Sequence, residues 1–478
     1  MKYVIAFMLA LLTGAAAMAQ KDPQPDITGN WYSVLNVNGH KLRINLILQK
    51  KSDTSYSGQL LSPDQMKTGL PLTRAALHGD TLFLEVATAN ARFEGVWDYR
   101  ASAYIGSYKQ NGLSLPTGFS RTETSVQDIQ PNRPQNPKPP FNYVVQEVLI
   151  PNDSARLTLA GTFTRPSRNK RYPVVVMITG SGPQDRDETV FGHKPFWIIA
   201  DQLTRDGVAV LRYDDRGVGA STGAYGTAGI ADFASDAKAA IAYLRTRPDV
   251  DVNHIGLLGH SEGGNILQVV AADNPQVAFA ISLSGPGVKG EDMMLKQNEL
   301  VYRSIGAPDT VVNNRLSNMK ALFDIVTTQT EKDIIKQQLT AEATKQYAAL
   351  SPEDKAKMPE AQYVVSIVTS LMSPEMSSIL RFDPAAYLPR IHCPFLAIGG
   401  SRDVQVDADQ NLKGMEAELR KGGNKKLTIR KFDGLNHLLQ ECQECTVGEY
   451  KTLEQSISPT VVDFISNWVT LLPTLETK

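Results

Sequence analysis

From residue 143 onward, short continuous apolar runs alternate with stretches of helical spacing. Pro173–Thr179 reads PVVVMIT, the kind of run buried on both faces of a parallel sheet. Tyr143–Ile150 and Leu157–Thr164 before it read as an opening hairpin. After it the pattern predicts helix Pro195–Arg205, strand Val208–Tyr213, helix Gly229–Arg245, strand His254–Leu258, helix Gly264–Ala272 and strand Phe279–Ser284. Such alternation predicts a doubly wound α/β sheet. It breaks between about 287 and 388, where Glu, Lys, Gln, Ala, Leu and Met take helical spacing, as in Leu322, Ile325 and Val326 or the run Glu331–Leu339. Strands return at Pro394–Ile398 and Leu427–Phe432. A helical insertion at that point is expected to form a lid over the strand ends, where ligands bind in open α/β sheets.

Residues 25–125 have a different texture. Lys41–Leu48, Thr81–Val86 and Phe93–Trp97 are short apolar and β-branched runs between Gly, Asn, Asp and Ser clusters, with Gly79-Asp80 placed as a turn. A small all-β domain, barrel or sandwich, is expected, serving packing or ligand binding. Its Gly29-Asn30-Trp31 resembles the G-x-W opening of lipocalin-like barrels. A linker over 126–141 follows, with five prolines between Gln130 and Pro140, which excludes helix and central strand. At the other end, Lys2, the apolar run Val4–Leu12 and Ala17-Met18-Ala19 read as a signal peptide over 1–19, cleaved after Ala19. The expected location is therefore periplasmic or secreted. The apolar run is too short for a permanent span, and no later segment reaches that length, so no stable membrane span is expected.

Composition narrows the partners. With 478 residues the chain is too long for one core. A formal net charge of −1 with scattered basic residues provides no field for nucleic acid. Of three cysteines, Cys442 and Cys445 form a C-x-x-C that can close locally in an exported protein, and Cys393 opens an apolar strand as a small core residue. Two thiols alone do not make a zinc site. No P-loop, dinucleotide fingerprint or HExxH motif occurs, so neither cofactor nor metal is called for. Oligomeric state is left open.

Gly259-His260-Ser261-Glu262-Gly263 is a G-x-S-x-G between a predicted strand and a predicted helix. At such an elbow the serine sits in a strained backbone region with its hydroxyl pointing outward, and Gly259 and Gly263 must be small so that strand and helix can approach. Serine needs a base, itself oriented by an acid, and at these elbows both follow it along the chain, acid first. Only His392 and His437 of the seven histidines follow Ser261. His392 precedes its strand and so lies at the wrong end. His437 follows strand Leu427–Phe432, level with the nucleophile, and is the expected base. Asp403, after the turn Gly399–Arg402, is the expected acid, with Asp407 and Asp409 as competitors. The oxyanion hole is expected from the backbone N–H of Glu262 and one N–H of Gly180-Ser181-Gly182-Pro183, with Ser181 preferred and Gly182 the alternative. Gln184–Asp187 and Tyr213–Gly219 set arginines among carboxylates; ion pairs and Asp caps are the expected role, a charged substrate subsite the other.

From about residue 143 to the end, these motifs together resemble the α/β-hydrolase superfamily. Within it the chain looks like bacterial lid-bearing serine esterases, of the serine aminopeptidase-like or dienelactone hydrolase-like kind. The carrying residues are Gly180–Asp187, Asp215–Gly219, Gly259–Gly263, Gly400–Val406 and Leu435-Asn436-His437. The resemblance implies hydrolysis of carboxylic esters, often with short acyl groups, on a small-molecule or glycan-linked substrate. Dienelactone hydrolases depart from it by using Cys where Ser261 stands. Two other readings remain: a peptidase on short peptides, with an acid such as Glu291 holding the substrate amine, and a non-catalytic binding protein on a hydrolase scaffold.

Overall fold

The computed structural model describes residues 26–472 apart from 38–39, 53–54, 64, 66–67, 125–131 and 168–169. The signal read over 1–19 lies outside the described residues. The chain divides into two compact units, residues 1–130 and 131–478.

The first unit is one antiparallel sheet among its described residues. Its strands are β1 (Gly29–Val37), β2 (His40–Lys50), β3 (Tyr56–Leu61), β4 (Leu70–Pro71), β5 (Arg74–His78), β6 (Thr81–Val86), β7 (Ala91–Asp98), β8 (Ala103–Gln110) and β9 (Leu113–Ser120). They lie in the order β4-β3-β2-β1-β9-β8-β7-β6-β5, and a bridge from Ser55 to Ala76 joins the two ends of the curl. A single curled sheet, not a two-sheet sandwich, is the outcome. Period-two alternation drives it: Leu82, Leu84 and Val86 turn inward, as do Trp31 and Leu35. The interior is aromatic, with Trp31 edge-on to Tyr104 at 5.3 Å and Phe93 edge-on to Phe119 at 4.9 Å. Arg121 covers the Trp31 ring at 3.9 Å and donates to the carbonyls of Asp26, Thr28 and Asn30.

The second unit carries β10 (Tyr143–Asn152), β11 (Leu157–Pro166), β12 (Tyr172–Ile178), β13 (Ala209–Tyr213), β14 (Val250–His260), β15 (Ala280–Leu283), β16 (Phe395–Gly400) and β17 (Leu427–Phe432). Their order is β10-β11-β13-β12-β14-β15-β16-β17, antiparallel through β11 and β13, parallel from β13 onward. The helices are α1 (Pro195–Arg205), α2 (Ile230–Arg245), α3 (Glu262–Asp273), α4 (Gly290–Ser304), α5 (Asp309–Thr328), α6 (Lys332–Ala348), α7 (Pro352–Lys357), α8 (Glu360–Met372), α9 (Pro374–Arg381), α10 (Ala408–Lys421) and α11 (Pro459–Thr470). On β12, Val174, Val176 and Ile178 pack with α2, α3 and α10, whereas Val175 and Met177 pack with α1 and α11. Both faces are covered, which is why the run is continuously apolar. This is the α/β-hydrolase architecture with a helical insertion, α4–α9, between β15 and β16.

The insertion has its own small core, including Leu322, Phe323, Val326, Leu339 and Leu371. No single helix among the described residues is long and apolar enough to cross a membrane; α8 and α9 reach that composition only as a pair bent by 63°. Residues 132–140 of the proline-rich segment lie along this unit. Arg133 donates to the carbonyls of Phe191, Lys451 and Leu453, and Gln135 bonds the backbone of Ser456 and Ile457.

Candidate active site

β12 and β14 are neighbours, yet the chain leaves β12 for β13 on one side and β14 for β15 on the other. A crevice opens at such a switch point, beyond the carboxyl ends of the strands. The segment Thr179–Pro183 leaves one of these strand ends, and Ser261 stands at the other.

β14 runs two residues past the expected strand end, and α3 starts two residues early, so Ser261 stands alone between them. It has φ +52° and ψ −121°, a conformation that costs an L-residue about 1–3 kcal/mol. The elbow needs its glycines. A Cβ on Gly259 would lie 2.1 Å from the Gly263 carbonyl oxygen, and one on Gly263 would lie 2.2 Å from that of Ile178.

Ser261 Oγ lies 3.1 Å from His437 Nε2, and His437 Nδ1 lies 2.8 Å from Asp403 Oδ2. The His437 and Asp403 side chains are 5% and 0% exposed. The other Asp403 oxygen accepts the N–H groups of Gln405 and Val406, both at 2.8 Å. A carboxylate only accepts, so Nδ1 carries the proton and Nε2 turns its lone pair to the serine hydroxyl. Such a relay can take a proton from Ser261. The competitors are engaged elsewhere. Asp407 caps α10 by accepting from Gln410 N, Asp409 pairs with Lys431, and His392 is exposed before β16.

The Glu262 amide heads α3, and the Gly180–Pro183 loop follows β12. Gly182 N–H is taken by Glu375 Oε1 at 2.8 Å, whereas Ser181 is exposed. The arginine-rich segments are staples. Arg186 grips Asp214 through two nitrogens at 2.7 and 2.9 Å, Arg216 grips Asp236 likewise, and Arg212 pairs with Asp187. Glu291 pairs with Lys320 at 3.0 Å. Cys442 and Cys445 form a disulfide, so this pair and nearby Glu449 offer no thiolates to a metal. Cys393 is free, and burial pushes its thiol up to about 12.

Sequence reasoning missed a set of buried partners. His260 Nε2–H donates to the His437 carbonyl at 3.1 Å, and its Nδ1 meets Glu188 Oε1 at 2.8 Å. The same Glu188 oxygen accepts Gly180 N–H at 2.8 Å, so one carboxylate ties the 180–183 loop to the loop of His437. Burial alone would lower the His260 pKa, but the charge and hydrogen bond of Glu188 outweigh it and raise the value. Burial, with Glu375 and Asp215 beside it, holds the Glu262 carboxyl well above the usual range. Burial likewise pushes Asp215 up to about 7. His260 and Glu262 were in view as the variable positions of G-x-S-x-G; Glu188 and Glu375 carry no local signal.

The family model described as serine aminopeptidase, S33 (Hydrolase_4) matches residues 196–443. The chain is similar to esterase EstD of Thermotoga maritima, 27% identical over 331 residues, 69% of each chain. It is also similar to a putative carboxymethylenebutenolidase of Synechocystis sp., 31% identical over 147 residues, 30% of this chain and 58% of that one. Among solved structures it is similar to the α/β-hydrolase GrgF from Penicillium sp. sh18, at 17% identity and a TM-score of 0.41, covering 68% of this chain and 98% of that one.

Proposed function

The chain belongs to the serine aminopeptidase S33 family of α/β-hydrolases, and on that premise we propose that it is an exported enzyme cleaving carboxylic esters of short acyl chains. Ser261 is the nucleophile, His437 the base and Asp403 the acid that orients it. The observation that carries this reading is the buried relay from Asp403 through His437 to Ser261 Oγ, at 2.8 and 3.1 Å. Likeness to a named esterase over 69% of the chain favours esters over peptides. Glu291, the carboxylate that would hold a substrate amine in a peptidase, is instead paired with Lys320 at 3.0 Å.

His437 Nε2 takes the Ser261 proton as Oγ attacks the ester carbonyl carbon. The oxyanion is held by the amides of Ser181 and Glu262, which stabilise charge present only in the tetrahedral species. His437 then returns the proton to the departing alkoxide, leaving an acyl-serine. Water, deprotonated by His437, attacks this acyl group, and the tetrahedral species releases the acid as His437 returns the proton to Ser261 Oγ. The insertion α4–α9 serves as the lid, and export rests on the pattern of residues 1–19. The substrate is a small-molecule or glycan-linked ester.

Hydrolysis of p-nitrophenyl esters of graded acyl length, beside aminoacyl p-nitroanilides and fluorophosphonate labelling, tests the reading. Short esters turn over faster than anilides, and Ser261→Ala lowers kcat by at least about 10⁴-fold and abolishes labelling. Folded wild-type protein that neither labels nor turns over would sink it. Faster anilide hydrolysis would move the assignment to a peptidase.

A further inference from the structure

The insertion reaches the elbow through the first turn of α9. Glu375 Oε1 accepts from the Tyr225 hydroxyl at 2.6 Å and from Gly182 N–H at 2.8 Å. Glu375 also faces the carboxyl of Glu262, the residue after Ser261, which burial first and then the charge of Glu375 hold well above the usual carboxylate range. Glu262 is 4% exposed, and its Oε1 finds no ordinary donor. The other group facing the pair, Asp215, is itself an acid, engaged by Thr179 Oγ1 and Gln184 N–H. Nearby, α9 is seated on α2: Ser378 Oγ accepts from Ile230 N, and Pro374 and Ser378 crowd Gly229, where a Cβ would meet them at 2.9 and 2.8 Å.

We propose that Glu375 is a positioning residue for the reaction, clamping the insertion to the nucleophile elbow by accepting from Gly182 N–H and the Tyr225 hydroxyl, so that Ser181 N–H is the loop's oxyanion donor. The proposal rests on the oxyanion assignment made above.

Glu375→Gln keeps the clamp without its charge, because the amide oxygen still accepts from Gly182 N–H and the Tyr225 hydroxyl. The measurement is kcat and KM for p-nitrophenyl acetate at about pH 7, with fluorophosphonate labelling of each protein. Glu375→Gln keeps kcat within about threefold of wild type, the conservative side chain rescuing the clamp. Glu375→Ala lowers neutral kcat by about 10- to 100-fold with little change in KM. Wild type that labels and turns over while Glu375→Ala matches its kcat, or Glu375→Gln falling as far as Glu375→Ala, would overturn the inference alone. A wild type that fails to label would overturn the Ser261 reading and this inference together.

Discussion

At Asp403 one side chain performs two tasks. One oxygen is spent on Gln405 and Val406 amides, which fix the carboxylate, and the other imposes the Nδ1–H tautomer on His437. Asparagine would keep the shape but bring a donor to that position, so His437 would turn a proton rather than a lone pair toward Ser261. Asp403→Asn is expected to lower kcat by about 10⁴-fold at neutral pH with a small change in KM. A fall of less than tenfold in steady-state kinetics would mean that another acid orients the histidine. His437 was legible at this scale because order along the chain left two histidines and strand polarity removed one. Its partner His260 was not legible as such: a histidine inside G-x-S-x-G looks like filler until Glu188 and the His437 carbonyl are seen at its two nitrogens.

Elements differ in how much of themselves they announce. α1 and β17 stand at the boundaries that periodicity predicts, Pro195–Arg205 and Leu427–Phe432. β14 and α3 do not; they extend toward each other because backbone bonds to flanking strands and helix continue until Ser261 alone makes the turn. That junction tolerates no side chain at Gly263, whose Cβ would press on the Ile178 and Thr179 carbonyl oxygens at 2.2 and 2.6 Å. Gly263→Ala therefore has to displace β12 or α3, at about 1–3 kcal/mol or more. The expected result is a lower urea midpoint together with loss of fluorophosphonate labelling. An unchanged midpoint with full labelling would show that the elbow relaxes freely.

For the second unit as a whole, acid stability is set partly by His193. It is fully buried, bonded to Ser456 Oγ at 2.9 Å and the Tyr450 carbonyl at 2.8 Å, and so joins the loop after β12 to the segment beyond His437. Burial is the main cause lowering its pKa from 6.5 to about 4. As pH falls below 6.5 the unfolded chain takes up the proton first, so the folded state loses stability until its own pKa is passed. Urea unfolding at about pH 7 and about pH 5 is expected to show a drop in midpoint that is smaller in His193→Gln. Equal drops in the two proteins would remove His193 from the account.

The sequence by itself determined the doubly wound sheet, the elbow at Ser261 and the candidacy of Asp403 and His437. These are carried by local patterns: alternation of period two, apolar runs buried on both faces, glycines at a tight turn, and order along the chain. Only the tertiary structure decided the switch point between β12 and β14, the curl of the first sheet and the convergence of Glu188 and Glu375 on the Gly180–Pro183 loop. The physical reason is that hydrophobic spacing records which face of an element is buried, and nothing more. Which buried acid meets which amide or proton depends on strand order and helix seating, and these arise from packing among segments far apart in the chain.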